Sequence, residues 1–151
     1  MILWNRILVG IDDSEPSLSA LRYLAGVLGG SNTSKVRLLA VYTPPDPDSH
    51  PDEAARADLA AERRLVLETR LAQAYLLLVE ARLARENLST DLVEADGRPV
   101  GQVIMEYQAA GGYGTVVVGR RRQSKAEEFL FGSVSNSVVH RATDCCVWVV
   151  A

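Results

Sequence analysis

Arg6-Ile7-Leu8-Val9-Gly10-Ile11-Asp12-Asp13-Ser14-Glu15-Pro16 passes from an unbroken apolar run straight into a helix opening. Arg6–Ile11 reads as a strand covered on both faces, because its apolar residues follow one another instead of alternating with polar ones. Ser14-Glu15-Pro16 reads as a helix start, with a capping hydroxyl and a proline tolerated in the first turn. Leu18, Leu21, Leu24 and Leu28 fall on one helical face, and Gly29-Gly30 closes it. A buried strand that turns directly into an amphipathic helix is the first half of a parallel crossover unit, and it sets the fold class.

The same alternation continues along the chain. Further β-branched runs lie at Val36–Tyr42, Leu88–Glu94, Thr115–Val118 and Cys146–Val150. Between the second and third comes a proline-rich loop, Thr43 to Pro51, which can be neither helix nor central strand. An Ala/Leu/Glu/Arg-rich helix follows from about Pro51 to Glu86, with Ala72, Leu76, Val79 and Leu83 on one face. Arg98-Pro99 opens a third helix through Val103, Ile104, Tyr107 and Ala110 to Gly111-Gly112, and a fourth runs from about Gly132 to Arg141. The order β-α-β-α-β-α-β-α-β predicts a parallel sheet with right-handed crossovers and helices on both faces. Ligands of such sheets bind at the carboxyl ends of the strands.

The length of 151 residues suits one domain spanning 1–151. A composition of 48% hydrophobic and 23% charged residues supports a real core under a polar surface, unlike a disordered chain. The net charge of −3 supplies no overall basic field, which argues against nucleic acid as a partner. The arginines of the long helix are interleaved with acids and read as a solvated face. No apolar run approaches the roughly 18 residues of a membrane helix. The start, Met1 to Arg6, puts its charge after a very short apolar run, the reverse of a secretory signal. With Cys145 and Cys146 as the only cysteines, there is no disulfide framework, and both read as small core residues of the last strand. A cytoplasmic location in a reducing compartment is expected. His50 and His140 have no histidine at ligand spacing, so no metal site is expected.

Two segments carry candidate chemistry. The acidic pair Asp12-Asp13 at the end of the first strand could bind Mg²⁺, hydrogen-bond a ribose or base, or cap the following helix through Asp13 or Ser14. A phospho-accepting receiver domain would use such a pair too, but it needs a lysine closing the fifth strand, and none follows Cys146–Val150. The second segment runs from Val116-Val117-Val118-Gly119-Arg120-Arg121-Arg122 through Gly132-Ser133-Val134-Ser135. A strand there feeds a loop, and a helix start follows, so free backbone N–H groups and the positive helix end converge into an anion site, with Ser133 and Ser135 hydroxyls as added donors. In the plainer reading Gly119 turns the chain, the arginines form a solvated run and the serines cap the helix. No phosphate loop of the GxxxxGK type, no GxGxxG fingerprint and no nucleophilic triad occurs.

Ile7-Leu8-Val9-Gly10-Ile11-Asp12, Asp13-Ser14-Glu15-Pro16-Ser17 and the ending from Gly119 through Gly132-Ser133 to Val147-Trp148-Val149-Val150 resemble the universal stress protein family over essentially the whole chain. The resemblance implies a five-stranded parallel sheet of order 3-2-1-4-5, the adenine nucleotide alpha hydrolase-like architecture, and a homodimer through Cys146–Val150. The family's nucleotide-binding members carry G-x2-G-x9-G-[ST]. This chain matches at Gly119, Gly132 and Ser133 but has Arg122 in place of the second glycine. By resemblance, Ile11 and Asp12 line the pocket, a backbone group at Val41 reads the adenine, and Gly119, Gly132, Ser133, Val134 and Ser135 hold ribose and phosphates. Asp13, Arg120 and Arg122 complete the candidate set. An arginine at a positive-φ glycine position costs roughly 1–2 kcal/mol, and its charge-assisted bond to phosphate returns roughly 1.5–3 kcal/mol.

The resulting expectation is a cytosolic stress-response protein that binds ATP, with Mg²⁺ accompanying it, as a regulatory ligand. Without a catalytic base, at most slow hydrolysis is expected. The alternative is a nucleotide-free dimeric interaction protein of the same fold.

Overall fold

A computed structural model describes residues 2–120 and 132–151. Five parallel strands, β1 (Arg6–Gly10), β2 (Lys35–Tyr42), β3 (Leu88–Glu94), β4 (Thr115–Gly119) and β5 (Cys146–Val150), form one sheet of order β3-β2-β1-β4-β5. Helices α1 (Glu15–Leu28), α2 (Glu53–Glu80), α3 (Val100–Gly111) and α4 (Ser133–Arg141) connect them. This is the fold that the alternation and the resemblance predict. The first strand ends at Gly10, one residue earlier than the apolar run suggests, although Ile11 N–H still donates to Leu39 O at 2.8 Å.

Strand side chains alternate between the two faces, and each face has its own core. Ile7, Val9, Leu38, Ala40 and Val117 pack with Leu18, Leu21 and Leu24 of α1 and Leu71, Ala74 and Leu78 of α2. Leu8, Leu39, Val116 and Val118 pack with Ile104 and Met105 of α3 and Val138 of α4. Sheet and helices therefore form three layers. Burying each large aliphatic side chain is worth about 1.5–3 kcal/mol before entropy is counted.

The long helix departs from expectation in two ways. It is shorter, with Asp52 capping it through Ala54 N at 3.0 Å and Ala55 N at 3.4 Å, and it stops at Glu80. The stop is a left-handed turn at Arg82 (φ 65°), where Leu83 N–H donates to Leu78 O at 3.1 Å and Leu83 itself is buried. No glycine marks that turn in the sequence. The buried face is also different: Leu71, Ala74 and Leu78 point inward, while Ala72 and Leu76 are exposed. An Ala/Leu-rich helix carries two apolar stripes, and only the sheet decides which is covered. Cys146 is likewise exposed, because β5 is an edge strand, whereas Cys145 packs against the second core. Among the described residues, no helix is long and apolar enough to cross a membrane.

Helices α3 and α4 cross at closest approach through Gly101, where an ideal Cβ would stand 2.5 Å from Ser137 Cβ and 3.2 Å from Val134 O. Gly101→Ala is therefore expected to destabilise by about 1–3 kcal/mol, although helix propensity alone favours alanine by about 1 kcal/mol. Urea titrations of Gly101→Ala, Ser137→Gly and the double variant check this. The cycle should show favourable coupling between the two sites, and a stabilised Gly101→Ala would refute the packing argument.

Candidate functional site

The sheet changes direction at β1: β2 and β3 lie on one side, β4 and β5 on the other. The helices that follow β1 and β4, α1 and α4, pack on opposite faces, and a crevice lies at the strands' carboxyl ends. A cleft of about 800 Å³, measured out to its open mouth, lies there. Gly10, Ile11 and Val118 floor it, Leu39 and Val41 come from β2, Val100 and Ile104 from α3, and the first turn of α4 closes one wall.

Of the residues singled out in the sequence, Ile11, Asp12, Val41, Gly119, Gly132, Ser133, Val134 and Ser135 line this cleft. Asp13 and Arg120 do not line it. Asp13 is exposed, with its carbonyl accepting from Arg70 Nη2 at 3.4 Å, and Arg120 extends β4 with its N–H donating to Val150 O at 2.8 Å. Arg122 lies outside the described residues. Leu39, Val100, Ile104 and Val118 were legible only as core, since an apolar residue under a pocket looks like any other buried one. Ser17, 3% exposed, also lines the cleft, and its only signal was a polar residue on the inner face of α1.

The structure reassigns the start of α1. Ser14 occupies the cap position, but its side chain makes no capping bond. Instead the carboxylate of Asp12 organises the turn: Oδ1 accepts Ser14 N–H at 2.8 Å and also the Ser14 hydroxyl. Ser17 Oγ–H donates to Ser14 O at 3.0 Å, and Ser17 Oγ accepts Asp12 N–H at 3.4 Å. A short acidic side chain bonding its own backbone two residues on is a standard turn device. Both Asp12 side-chain bonds use Oδ1, so Oδ2 is the oxygen left to meet a ligand.

The start of α4 supplies backbone donors. Gly132 is the cap residue and offers no side chain, and the helical ladder begins with Asn136 N–H to Gly132 O at 2.9 Å. The amides of Ser133, Val134 and Ser135 precede that bond, at the positive end of the helix dipole. An anionic group in the cleft would meet them without displacing a helical bond. The two serines differ. Ser133 is exposed, but Ser135 is 1% exposed and its hydroxyl donates to Gly132 O at 3.1 Å, so Ser135 contributes its amide and not the extra hydroxyl donor expected of it.

Gly119 serves packing. A Cβ there would stand 2.4 Å from Pro16 O and 2.9 Å from Ser17 N, so the end of β4 lies directly against the backbone of α1. Burial, with Cys146 and Asp144 beside it, pushes the Cys145 thiol up from its ordinary pKa, so it is a weak thiolate former. Among the described residues no three His, Cys, Asp or Glu side chains gather as metal ligands.

The sequence profile of the Universal stress protein family matches residues 4–151. No curated protein matches the chain. Among solved structures, the universal stress protein UspA from Lactobacillus plantarum is 20% identical with a TM-score of 0.75, over 98% of this chain and 98% of that one. A universal stress protein in complex with cAMP is 20% identical with a TM-score of 0.66, over 97% of this chain and 96% of that one. The universal stress protein from Archaeoglobus fulgidus in complex with dAMP is 17% identical with a TM-score of 0.60, over 100% of both chains. At these identities the structural likeness speaks to the fold.

Two substitutions separate the packing roles from binding. Gly119→Ala should lower stability by about 1–3 kcal/mol through the clash with Pro16, whether or not any ligand is present. Asp12→Asn, which keeps an oxygen acceptor for Ser14, should stay within about 1 kcal/mol of the parent, while Asp12→Ala falls further. Thermal melts of the ligand-free variants decide this; equal melting of Asp12→Ala and the parent would remove the turn role.

Proposed function

We propose that this chain, which belongs to the universal stress protein family, binds ATP as a regulatory ligand in the cleft between β1 and β4. The observation that carries the reading is the convergence, in one cleft, of Asp12 with the first-turn amides of α4. The family's structures in complex with cAMP and dAMP support an adenine nucleotide as the ligand class. In this reading the adenine lies over the apolar side, near the backbone at Val41, with Val100 and Ile104 beneath it. Asp12 Oδ2 meets ribose hydroxyls or a hydrated Mg²⁺, and the amides of Ser133, Val134 and Ser135 meet phosphate oxygens.

Arg122 stands in the family's glycine position, and an arginine is chemically suited to a charge-assisted bond with phosphate. Among the described residues of the cleft Asp12 is the one titratable side chain, and it ties the first turn of α1, so the reading is binding with, at most, slow hydrolysis in a cytosolic single-domain protein. The unit proposed is a homodimer through β5. That edge strand presents Trp148, Val149 and Val150 beside exposed Tyr23 and Val27, and Trp148 meets Tyr23 edge-on at 6.4 Å. An apolar parallel edge of this kind is stable in solution when another surface covers it. The same edge is what favours the second reading, a nucleotide-free dimeric interaction protein.

Calorimetry with ATP and Mg²⁺ should show saturable binding that Gly132→Val weakens by at least about tenfold, because a branched side chain crowds the helix start. If the parent shows no binding and Arg122→Gly gains it, the arginine blocks the cleft and the nucleotide-free reading stands. Sedimentation at micromolar concentration should give a dimer that Trp148→Glu shifts to monomer; a monomeric parent would rule out the β5 interface.

A further inference from the structure

At the opposite end of the sheet, the register of β1 against β2 sets Arg6 directly across from Lys35. Arg37 follows two residues later on the same face. Neighbouring strands lie about 4.8 Å apart, so two cations face each other across one step of the sheet, an arrangement that is unfavourable when nothing offsets it. These three cations line a second cavity of about 560 Å³, out to its mouth, together with Asn87, Ser89 and Tyr113.

Both arginines are held in place by neighbouring groups. Arg6 Nε donates to Gly111 O, the last carbonyl of α3, at 2.7 Å, and its guanidinium lies 5.0 Å over the Tyr113 ring. Arg37 Nε donates to Ser89 Oγ at 2.5 Å and Nη1 to Tyr107 OH at 2.6 Å, while Tyr107 OH donates to Asp91 Oδ2 at 2.8 Å. Both Nη groups of Arg6, Nη2 of Arg37 and the Lys35 ammonium have no acceptor among the described residues. Glu86, the carboxylate on the rim, forms no ion pair with any of them. Asp91 approaches Arg37 at 4.0 Å but leaves Arg6 and Lys35 unneutralised.

We infer that this cavity at the amino edge of the sheet is a second ligand site, for a small polyanion of the phosphoryl type. Arg6, fixed by Gly111 and Tyr113, presents its paired Nη1/Nη2 edge to a tetrahedral oxyanion, Arg37, fixed by Ser89 and Tyr107, adds Nη2, and Lys35 adds a compact charge at the mouth. Because the arginines are already ordered, little side-chain entropy is lost when an anion binds. The ligand offsets the Arg6/Lys35 repulsion that the register imposes.

Inorganic pyrophosphate, titrated into ¹⁵N-labelled full-length protein, tests this. Saturable amide shifts should centre on Val36, Leu88 and Ser89. Lys35→Glu, at an exposed position whose side chain makes no internal bond, should raise the Kd at least about tenfold. Arg22→Glu, an equal charge change on the exposed face of α1, should leave it unchanged. Shifts centred instead on Ser133–Ser135, equal weakening by both variants, or no saturation by about 10 mM pyrophosphate would overturn the assignment.

Discussion

Backbone meets backbone where β4 ends: Gly119 lies against the Pro16 carbonyl with no room for a side chain between them. This approach brings the start of α1 across the ends of β1 and β4. It places Asp12 and Ser17 beside the crevice instead of over the face of the sheet. With any larger residue at 119 the helix would lift away, and the turn built by Asp12 would lose its position beside the start of α4. The glycine of this motif is thus first a spacer between two elements, and the ligand-facing geometry follows from that spacing.

The two ends of the parallel sheet have different electrostatics for structural reasons. At the carboxyl end, chains leave the strands and enter helices, so unladdered amides and positive dipole ends gather there. At the amino end, chains arrive from helices whose last carbonyls are negative, and cationic side chains suit that edge. Arg6 takes the Gly111 carbonyl in this way. Lys35 and Arg37 exceed that need, and a cavity stands where their surplus charge collects. One end thus attracts anions through backbone and the other through side chains.

Strand edges impose a further constraint. β3 and β5 bound the sheet. α2 packs over β3 on one face, whereas β5 keeps partly exposed apolar residues and an exposed Cys146. The same strand also receives the Arg120 amide at Val150 O, so the residue that follows β4 is hydrogen-bonded to the edge. Any partner that covers β5 therefore sits one hydrogen bond from Arg120.

Local pattern sufficed wherever the signal was local. The five β-branched runs marked all five strands to within a residue, and capping and glycine chemistry marked α1, α3 and α4 closely. The strand order came from resemblance, not from periodicity, and the cleft-lining roles of Asp12 and the Gly132–Ser135 turn rested on motif position. Three things were settled only by tertiary structure. Which stripe of α2 is buried depends on the sheet beneath it, because Leu76 and Leu78 are equally apolar. That Asp12 and Ser17, and not Asp13, face the cleft depends on the close approach of β4 and α1. And the clustering of Arg6, Lys35 and Arg37 depends on strand register, which joins residues distant in sequence through backbone bonds that carry no side-chain signature.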